Sequence, residues 1–536
     1  MKRSIAIALS AAMVTTTLLT AGCGRKNNQN HTDNPGKITE STSRSTETTH
    51  SSSTTNGMED IFGTDGMDGT DGEIESDSAE TSPMPPGESS SAAENLATIK
   101  PKGFEDLDFG GKTFVIATTS GTDPRWETAK EIYSDDPGAI STAVRERNKI
   151  VELLYNCKIE MRDSEDADAL AMSEVTSGKH TIDLFSAKGL GKTPAEQGNI
   201  YNLYDLGINF ENDWWDKTFV STYTVQTSSG ADTLYALMGD FCLSSFAATH
   251  VLLFNKNVMS TAPIEENVYE LVKTNRWTMD KFAEMIRLGA KETSGNSVFS
   301  YEEGDILGWA RTGHAAHGLH TASALSIIGT TNDNFYFEAA SDTASWSSVI
   351  DKAIEIWNLE GAETLGYTNV QSALTGEKTL FASEVLDVLE RMRNAENASI
   401  GLLPYPLYSE SQMTYAHYVD NHVYTYHVPT SVSLIEEMGR FLEIFGYHSR
   451  HTVRKAFIDT YSYEYCGDAE SAEMLAIILD SRTYDPAYHF WSAPEADLSQ
   501  MITSSQNNIA KWTERKKASI EGDIGTYITR ISENGV

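Results

Sequence analysis

Apolar and polar positions divide the chain into three stretches. Residues 4–22 are largely apolar and follow Lys2 and Arg3. From Gly24 to about Lys100 apolar side chains are sparse, and Ser, Thr, Asn, Gly, Asp and Glu dominate, as in "STSRSTETTHSSSTTNG" and "GTDGMDGTDGEIESDSAE". Beyond Phe104 apolar residues recur with strand and helix periods. Gly110–Ser120, "GGKTFVIATTS", reads as a turn followed by a β-branched strand. Ala139–Asn156 places Val144, Ile150, Val151 and Leu154 at helical spacing. "CKIEM" and Thr181–Ala187, "TIDLFSA", read as the second and third strands. Strand, helix, strand in that order predicts a parallel α/β sheet. "LYALMGDF" and "THVLLFNKNVM" read as further strands around Gly239. Trp277–Glu292 is a strongly amphipathic helix with Thr278 as its N-cap. More helices are predicted over "WSSVIDKAIEIWNL", "EVLDVLERMRN", "SLIEEMGRFLEIFGYHS" and "AEMLAIILDSR", and a polar one from Asp497 to about Lys517.

The N-terminal pattern carries chemistry of its own. A charged start, an apolar middle and small residues before a cut make residues 1–22 a secretory signal. Leu19-Thr20-Ala21-Gly22-Cys23 puts that cut before a cysteine, the lipobox of bacterial lipoproteins. Cys23 then takes a diacylglyceryl group and becomes the new N-terminus. Each buried CH₂ contributes ~0.8 kcal/mol, and two acyl chains anchor stably where one does not. The expected location is the outer side of the cell membrane, held by lipid. Residues 23–100 are the lipidated cysteine and a disordered tether, too poor in apolar side chains to offset the entropy of ordering. At ~75 residues such a coil spans on the order of 50 Å. Its Gly-Thr-Asp-Gly units lack the fixed nonapeptide register of calcium repeats.

Composition bounds what remains. The globular part, about 435 residues, exceeds the usual single-domain range, so two lobes are expected. No second apolar run reaches the ~20 residues of a membrane span. A formal charge of −36 argues against nucleic acid and anionic lipid surfaces as partners. Cys157, Cys242 and Cys466 are an odd set without C-x-x-C spacing. They read as small buried residues, with one disulfide left open. No structural zinc site is visible.

Several segments together resemble the extracellular solute-binding proteins of ABC importers, the family-1 group of sugar binders of the maltose-binding type. "ERNKIVELLYNCKIEM" is similar to the first helix and second strand of that family. "LYALMGDF…THVLLFNKNVM", with its Phe-Asn-Lys signature, resembles the crossover between lobes. "NVYELVKTNRWTMDKFAEMIRLGAK" is similar to the Trp-Thr-x-x-x-Phe helix. "GEKTLFASEVLDVLERMRN…IGLLPYPLY" resembles the return strand and Leu-Pro-x-Pro segment, and "ESAEMLAIILDSRTYD" a C-terminal segment of lipoprotein members. The resemblance covers about 104 to 515. It implies an α/β, two-lobed fold of the periplasmic-binding-protein type (type II), each lobe a sheet flanked by helices, joined by hinge strands. The N-lobe would hold 101–238 and 377–428, the C-lobe 243–376 and 429–536. A sugar or oligosaccharide would be captured between the lobes and passed unaltered to ABC permease subunits by a monomer without cofactor. The same fold also serves as a ligand sensor for a membrane kinase. An exported glycan-active enzyme is the catalytic alternative; it needs a carboxylate pair across a cleft, and no G-x-S-x-G elbow appears.

A sugar presents hydroxyls at its edge and C–H bonds on its faces, so its site needs fixed donors and acceptors plus flat rings. Ligands gather at the carboxyl ends of parallel strands, which makes Ser186 and Lys188, after the third strand, binding candidates. The resemblance adds Asp240 beside the crossover and Glu384 after the return strand. It also adds Trp309, Arg311 and His314 in "GWARTGHAAHGLH", and Trp491 with Tyr488 behind it in "DPAYHFWSAPE". His314, His317 and His320 step by ~300° each around a helix, which sets the outer two ~120° apart, so the three do not share one face and no metal is expected. "SGNSVFSYEEGDILG" lacks the D-x-[DN]-x-[DN]-G calcium pattern.

Overall fold

The structure is a computed structural model and describes residues 96–120, 128–331, 334–392 and 399–534. The secretory leader, Cys23 and nearly all of the expected tether lie outside the described residues.

Two sheets organise the chain. After the Gly110-Gly111 turn, both residues at positive φ, β1 (Lys112–Thr119) runs as a β-branched strand. Phe114, Ile116 and Ala117 on it are fully buried. Helix α1 (Ala139–Tyr155) ends where Asn156 turns left-handed and its N–H caps Glu152 O. That reversal sends the chain into β2 (Cys157–Ser164), which pairs in parallel with β1, Lys112 opposite Cys157. β3 (Leu184–Lys188) pairs with β1 on its other side, also in parallel.

The second sheet begins at β4 (His250–Asn255), buried at every position as a central strand must be. Helix α2 (Met279–Gly289) starts at Thr278, whose hydroxyl accepts from Lys281 N–H at 3.3 Å, the expected cap. β5 (Leu307–Arg311), α3 (Ala315–Thr321), α4 (Thr343–Trp357), β6 (Ala362–Thr364), β7 (Thr379–Val385) and β8 (Ile400–Leu403) follow. The spatial order is β6-β5-β7-β4-β8, with β4 antiparallel to both neighbours and β5–β7 and β5–β6 parallel. The chain then returns as β9 (Tyr424–His427), antiparallel to β3, completing the first sheet as β9-β3-β1-β2. Helix α5 (Ile435–Ser449) packs beneath it, Phe441 stacking on Phe114 at 4.0 Å. Helices α6 (Ala469–Asp480), α7 (Ser492–Thr503) and α8 (Ile509–Asn534) close the chain.

Three segments pass between the sheets. In 234–250, Leu237 bridges to Tyr426 of β9 before His250 opens β4. In 418–424, Val419 bridges to Thr249 before Tyr424 opens β9. In 450–468, π-helical turns at Arg450–Arg454 and Thr460–Cys466 lead from α5 to α6, whose Ser471 hydroxyl accepts Leu402 N–H of β8 at 3.2 Å. The expected α/β architecture of two helix-flanked sheets joined by crossing segments is the one observed.

Its partition along the sequence differs from expectation. β7 and β8, placed with 377–428 in the first lobe, pair with β4 and β5 in the second sheet. α5, placed with 429–536 in the second lobe, packs on the first sheet. Strands buried on both faces read as uniformly apolar, so their pattern does not say which sheet takes them. "LYALMGDF" is an extended crossing with isolated bridges, and Lys256–Thr261 is a helix because the Asn255 side chain caps Val258 N–H. Among the described residues of "EVLDVLERMRN" the strand continues to Val385 and the helix is Val388–Met392. The helix predicted from Asp497 to Lys517 breaks between Thr503 and Ile509. Cys157, Cys242 and Cys466 are buried free thiols.

Candidate functional site

Parallel strands leave their following loops at one end of each sheet, and these loops meet. A cavity of about 500 Å³ is lined by Lys130–Glu131 and Asp136–Ser141, from the connection after β1. Asp387 and Glu390, from the connection after β7, also line it. The crossing residues Leu243, Ser244 and Ala247 complete the lining with Phe457, Thr460, Tyr461, Glu464 and Tyr465. The last four lie in the π-helical turn Thr460–Cys466. Such turns recur at functional sites. Phe457 and Tyr461 stack at 4.1 Å, and Tyr465 meets Tyr461 edge-on at 4.9 Å.

Glu131 is the buried anchor of this wall. Tyr426 of β9 donates to one carboxyl oxygen at 2.5 Å and Ser244 N–H to the other at 2.6 Å. Burial pushes its carboxyl up to about 7, against the pull of those two donors. The Arg147 guanidinium donates to Glu131 O at 2.8 Å and lies over the Phe445 ring. The cavity therefore combines flat rings, carboxylate acceptors and a protonatable acid, groups that match hydroxyl-rich solutes.

A second group of side chains gathers where β4 begins and β5 and β7 end. His250, Thr312, His314, Tyr367, Glu384 and Asp420 line a small space of about 20 Å³. Asp420 accepts from His250 Nε2 at 3.4 Å, from His422 Nδ1 at 2.7 Å and from His422 N–H at 2.9 Å. Burial opposes its charge, but these donors outweigh burial and hold the carboxyl well below the usual carboxylate range. A larger cavity of about 360 Å³ adjoins, with His314, His317, Tyr418, Asn421, His422 and Glu495 in its walls.

Of the residues expected to bind, His314 and Glu384 meet in the small space. Lys188 is exposed at the end of β3, its ammonium 5.2 Å from the Tyr424 ring centre. The others are occupied elsewhere. Ser186 is buried and accepts Thr119 N–H at 3.2 Å while bonding Thr128 Oγ1 at 2.8 Å. Each oxygen of Asp240 faces an arginine, Arg450 at 3.0 Å and Arg454 at 3.1 Å. Trp309 is fully buried, donating to Ser383 Oγ at 2.9 Å, so no ring face remains for stacking. Arg311 lies buried between Trp309 and Trp357 and donates to Trp357 O at 2.6 Å; burial lowers its pKa to about 9. Tyr488 is buried, bonding Thr321 Oγ1 at 2.9 Å. Trp491 is half-buried in an aromatic cluster with Phe335, Phe490 and Tyr527 and lines none of the three cavities. Sequence reasoning missed Glu131, Tyr461, His250, Asp420 and His422. The density of histidine in "HYVDNHVYTYH" was the one visible signal for the last two. It also missed Glu495: the three loop histidines do not share a face, yet His317 and His320 do approach this carboxylate.

No protein-family model and no curated protein matches the chain. Among solved structures the chain is similar to MsmE of Bacillus subtilis in an open conformation, at 14% identity and a TM-score of 0.47, over 78% of this chain and 99% of that one. It is similar to the GacH receptor of Streptomyces glaucescens, solved unliganded and with acarbose, at 13% identity and a TM-score of 0.44, over 79% and 97%. It is also similar to UgpB of Mycobacterium tuberculosis in complex with glycerophosphocholine, at 14% identity and a TM-score of 0.47, over 78% and 99%.

Proposed function

We propose that the chain is an extracellular solute-binding protein, anchored by lipid at Cys23, that holds a sugar or oligosaccharide between its two sheets. It delivers that solute unaltered to an ABC permease. The observation that carries this reading is the cavity of about 500 Å³ lined by both the connection after β1 and the connection after β7, one from each sheet. A pocket of this size suits a small ligand, and closing one sheet on the other would grip it from both sides. Half-buried Tyr465, edge-on to the buried Phe457–Tyr461 stack, offers an apolar face to ring C–H groups, and Asp387, Glu390 and Glu464 offer acceptors to hydroxyls.

The test is a panel of mono- and oligosaccharides, polyols and peptides screened by thermal shift and confirmed by calorimetry. A true ligand at 100 times its Kd adds ~2.7 kcal/mol of stability. Chromatography of the same tubes must return the sugar intact. Cleaved products would make the protein an enzyme, and failure of every sugar in the panel would remove carbohydrate as cargo. Cys23→Ser should release the protein into the medium with its affinity unchanged.

A further inference from the structure

We propose that His317 and His320 of α3, with Glu495 of α7, bind one divalent transition-metal ion of the zinc class. A ligating atom from each of the three lies within 4.8 Å of the others. The two histidines are one helical turn apart, the i, i+3 spacing that puts side chains side by side. Glu495 arrives from the first turn of α7 and contacts His317 Nδ1 directly. Glu495 is 3% exposed and His320 fully buried. Glu495 Oε1 is the oxygen that meets His317 Nδ1, beside Ser499 Oγ at 2.7 Å from the same nitrogen, while buried His320 Nε2 has no hydrogen-bond partner among the described residues. A buried ring nitrogen left without a partner is costly on its own, and a cation shared with the adjacent His317 and Glu495 satisfies it.

The donor set fits that class. Two imidazoles and a carboxylate are ligands for zinc and neighbouring divalent metals, whereas calcium and magnesium want an all-oxygen shell. Outer partners are in place too. Tyr488 Oη lies 3.5 Å from His320 Nδ1 and is itself held by Thr321 Oγ1 at 2.9 Å, which leaves Nε2 as the ring's unpartnered nitrogen. Three protein ligands leave one position of a tetrahedral ion open. Here His317 and Glu495 also line the cavity of about 360 Å³, so that position faces space for water or a solute donor. This inference does not depend on the sugar reading, and its test involves no sugar.

The experiment strips the full chain with a chelator, dialyses it into metal-free buffer and titrates zinc against a chromophoric competitor. We expect one tightly bound zinc per chain. Cobalt(II) in its place should give the strong visible bands of a four-coordinate ion bearing nitrogen ligands, a readout that needs no variant. Glu495→Gln, nearly isosteric and checked for folding by circular dichroism, should weaken zinc at least about tenfold. A folded wild-type chain that binds no zinc, a six-coordinate cobalt spectrum, or a Glu495→Gln chain that binds zinc as tightly as wild type would each overturn the site. The last outcome would place the metal on acidic residues elsewhere.

Discussion

Tyr426 and Glu131, 295 positions apart in the chain, share a hydrogen bond of 2.5 Å in which the phenol donates to the carboxyl. The bond ties β9 of the first sheet to the wall of the cavity of about 500 Å³. Because Ser244 N–H holds the other oxygen at 2.6 Å, the same carboxyl also fixes the crossing segment that lines the cavity. One buried acid thus joins a wall, a strand and a crossing.

That arrangement predicts a pH signature. Glu131 has its folded pKa raised from 4.5 to about 7. The stability it contributes is therefore fully present below about pH 4.5 and is lost as pH rises through 7. The loss is on the order of 3 kcal/mol. Glu131→Gln keeps a neutral group at every pH. Relative to wild type, the variant should gain that amount between pH 5 and pH 8, measured by urea unfolding at both. A difference between the two proteins that stays constant with pH would show that Glu131 titrates like an exposed glutamate.

Ring substitutions separate binding from packing. Tyr465 is half-buried in the cavity wall, so Tyr465→Ala should weaken sugar affinity about tenfold, or ~1.4 kcal/mol. Trp309→Ala should instead cost 3–5 kcal/mol of folding stability, roughly the usual loss for a buried tryptophan. Its folded fraction should bind sugar with unchanged Kd, because the ring reaches no cavity wall described above. Calorimetry on both variants decides.

The contrast between those two residues marks what was legible. Helix α2 was readable with its cap because capping and periodicity are local: Thr278 and Lys281 sit three residues apart. β1, α1 and β2 were readable for the same reason. Trp309 was not, since an indole beside polar Arg311 and His314 looks like a loop ring, while the structure buries the whole of β5. The main cavity escaped notice because its walls come from 130–141, 243–247, 387–390 and 457–465, and no local pattern links them. Assignment of β7 and β8 to a sheet failed similarly: their partner β4 lies far off in sequence and every candidate strand was equally apolar.

Close approach of backbone to backbone gives a third test. A Cβ at Gly308 of β5 would lie 2.0 Å from Ile286 O of α2. Neither group can swing aside, because one is a central strand and the other a helix carbonyl bonded to Ala290 N–H. Gly308→Ala should destabilise the protein by about 1–3 kcal/mol or more. An unchanged urea midpoint would mean that α2 slides on the sheet freely.

His448 offers the opposite sign from Glu131. Its Nδ1 bonds Ala97 O at 2.8 Å, which fixes Nδ1 as the donor, and its Nε2 faces Tyr155 Oη at 2.9 Å, whose hydroxyl can donate to the neutral ring. Burial lowers its pKa from 6.5 to about 4. For a base depressed in this way the unfolded chain takes the proton first. Its contribution is present above pH 6.5 and is lost as pH falls toward 4, about 2 kcal/mol by pH 5. His448→Gln carries no such proton. Between pH 7 and pH 5 the variant should lose about 2 kcal/mol less stability than wild type. His417, His427 and His489, lowered to about 3, 4 and 4, pull in the same direction, while Glu131 and Asp485, both raised to about 7, pull against them. The single-residue difference is therefore the quantity to measure, since whole-protein acid curves sum opposing groups. Parallel curves for wild type and His448→Gln would mean that the ring is solvated when charged and that Ala97 and Tyr155 do not enclose it.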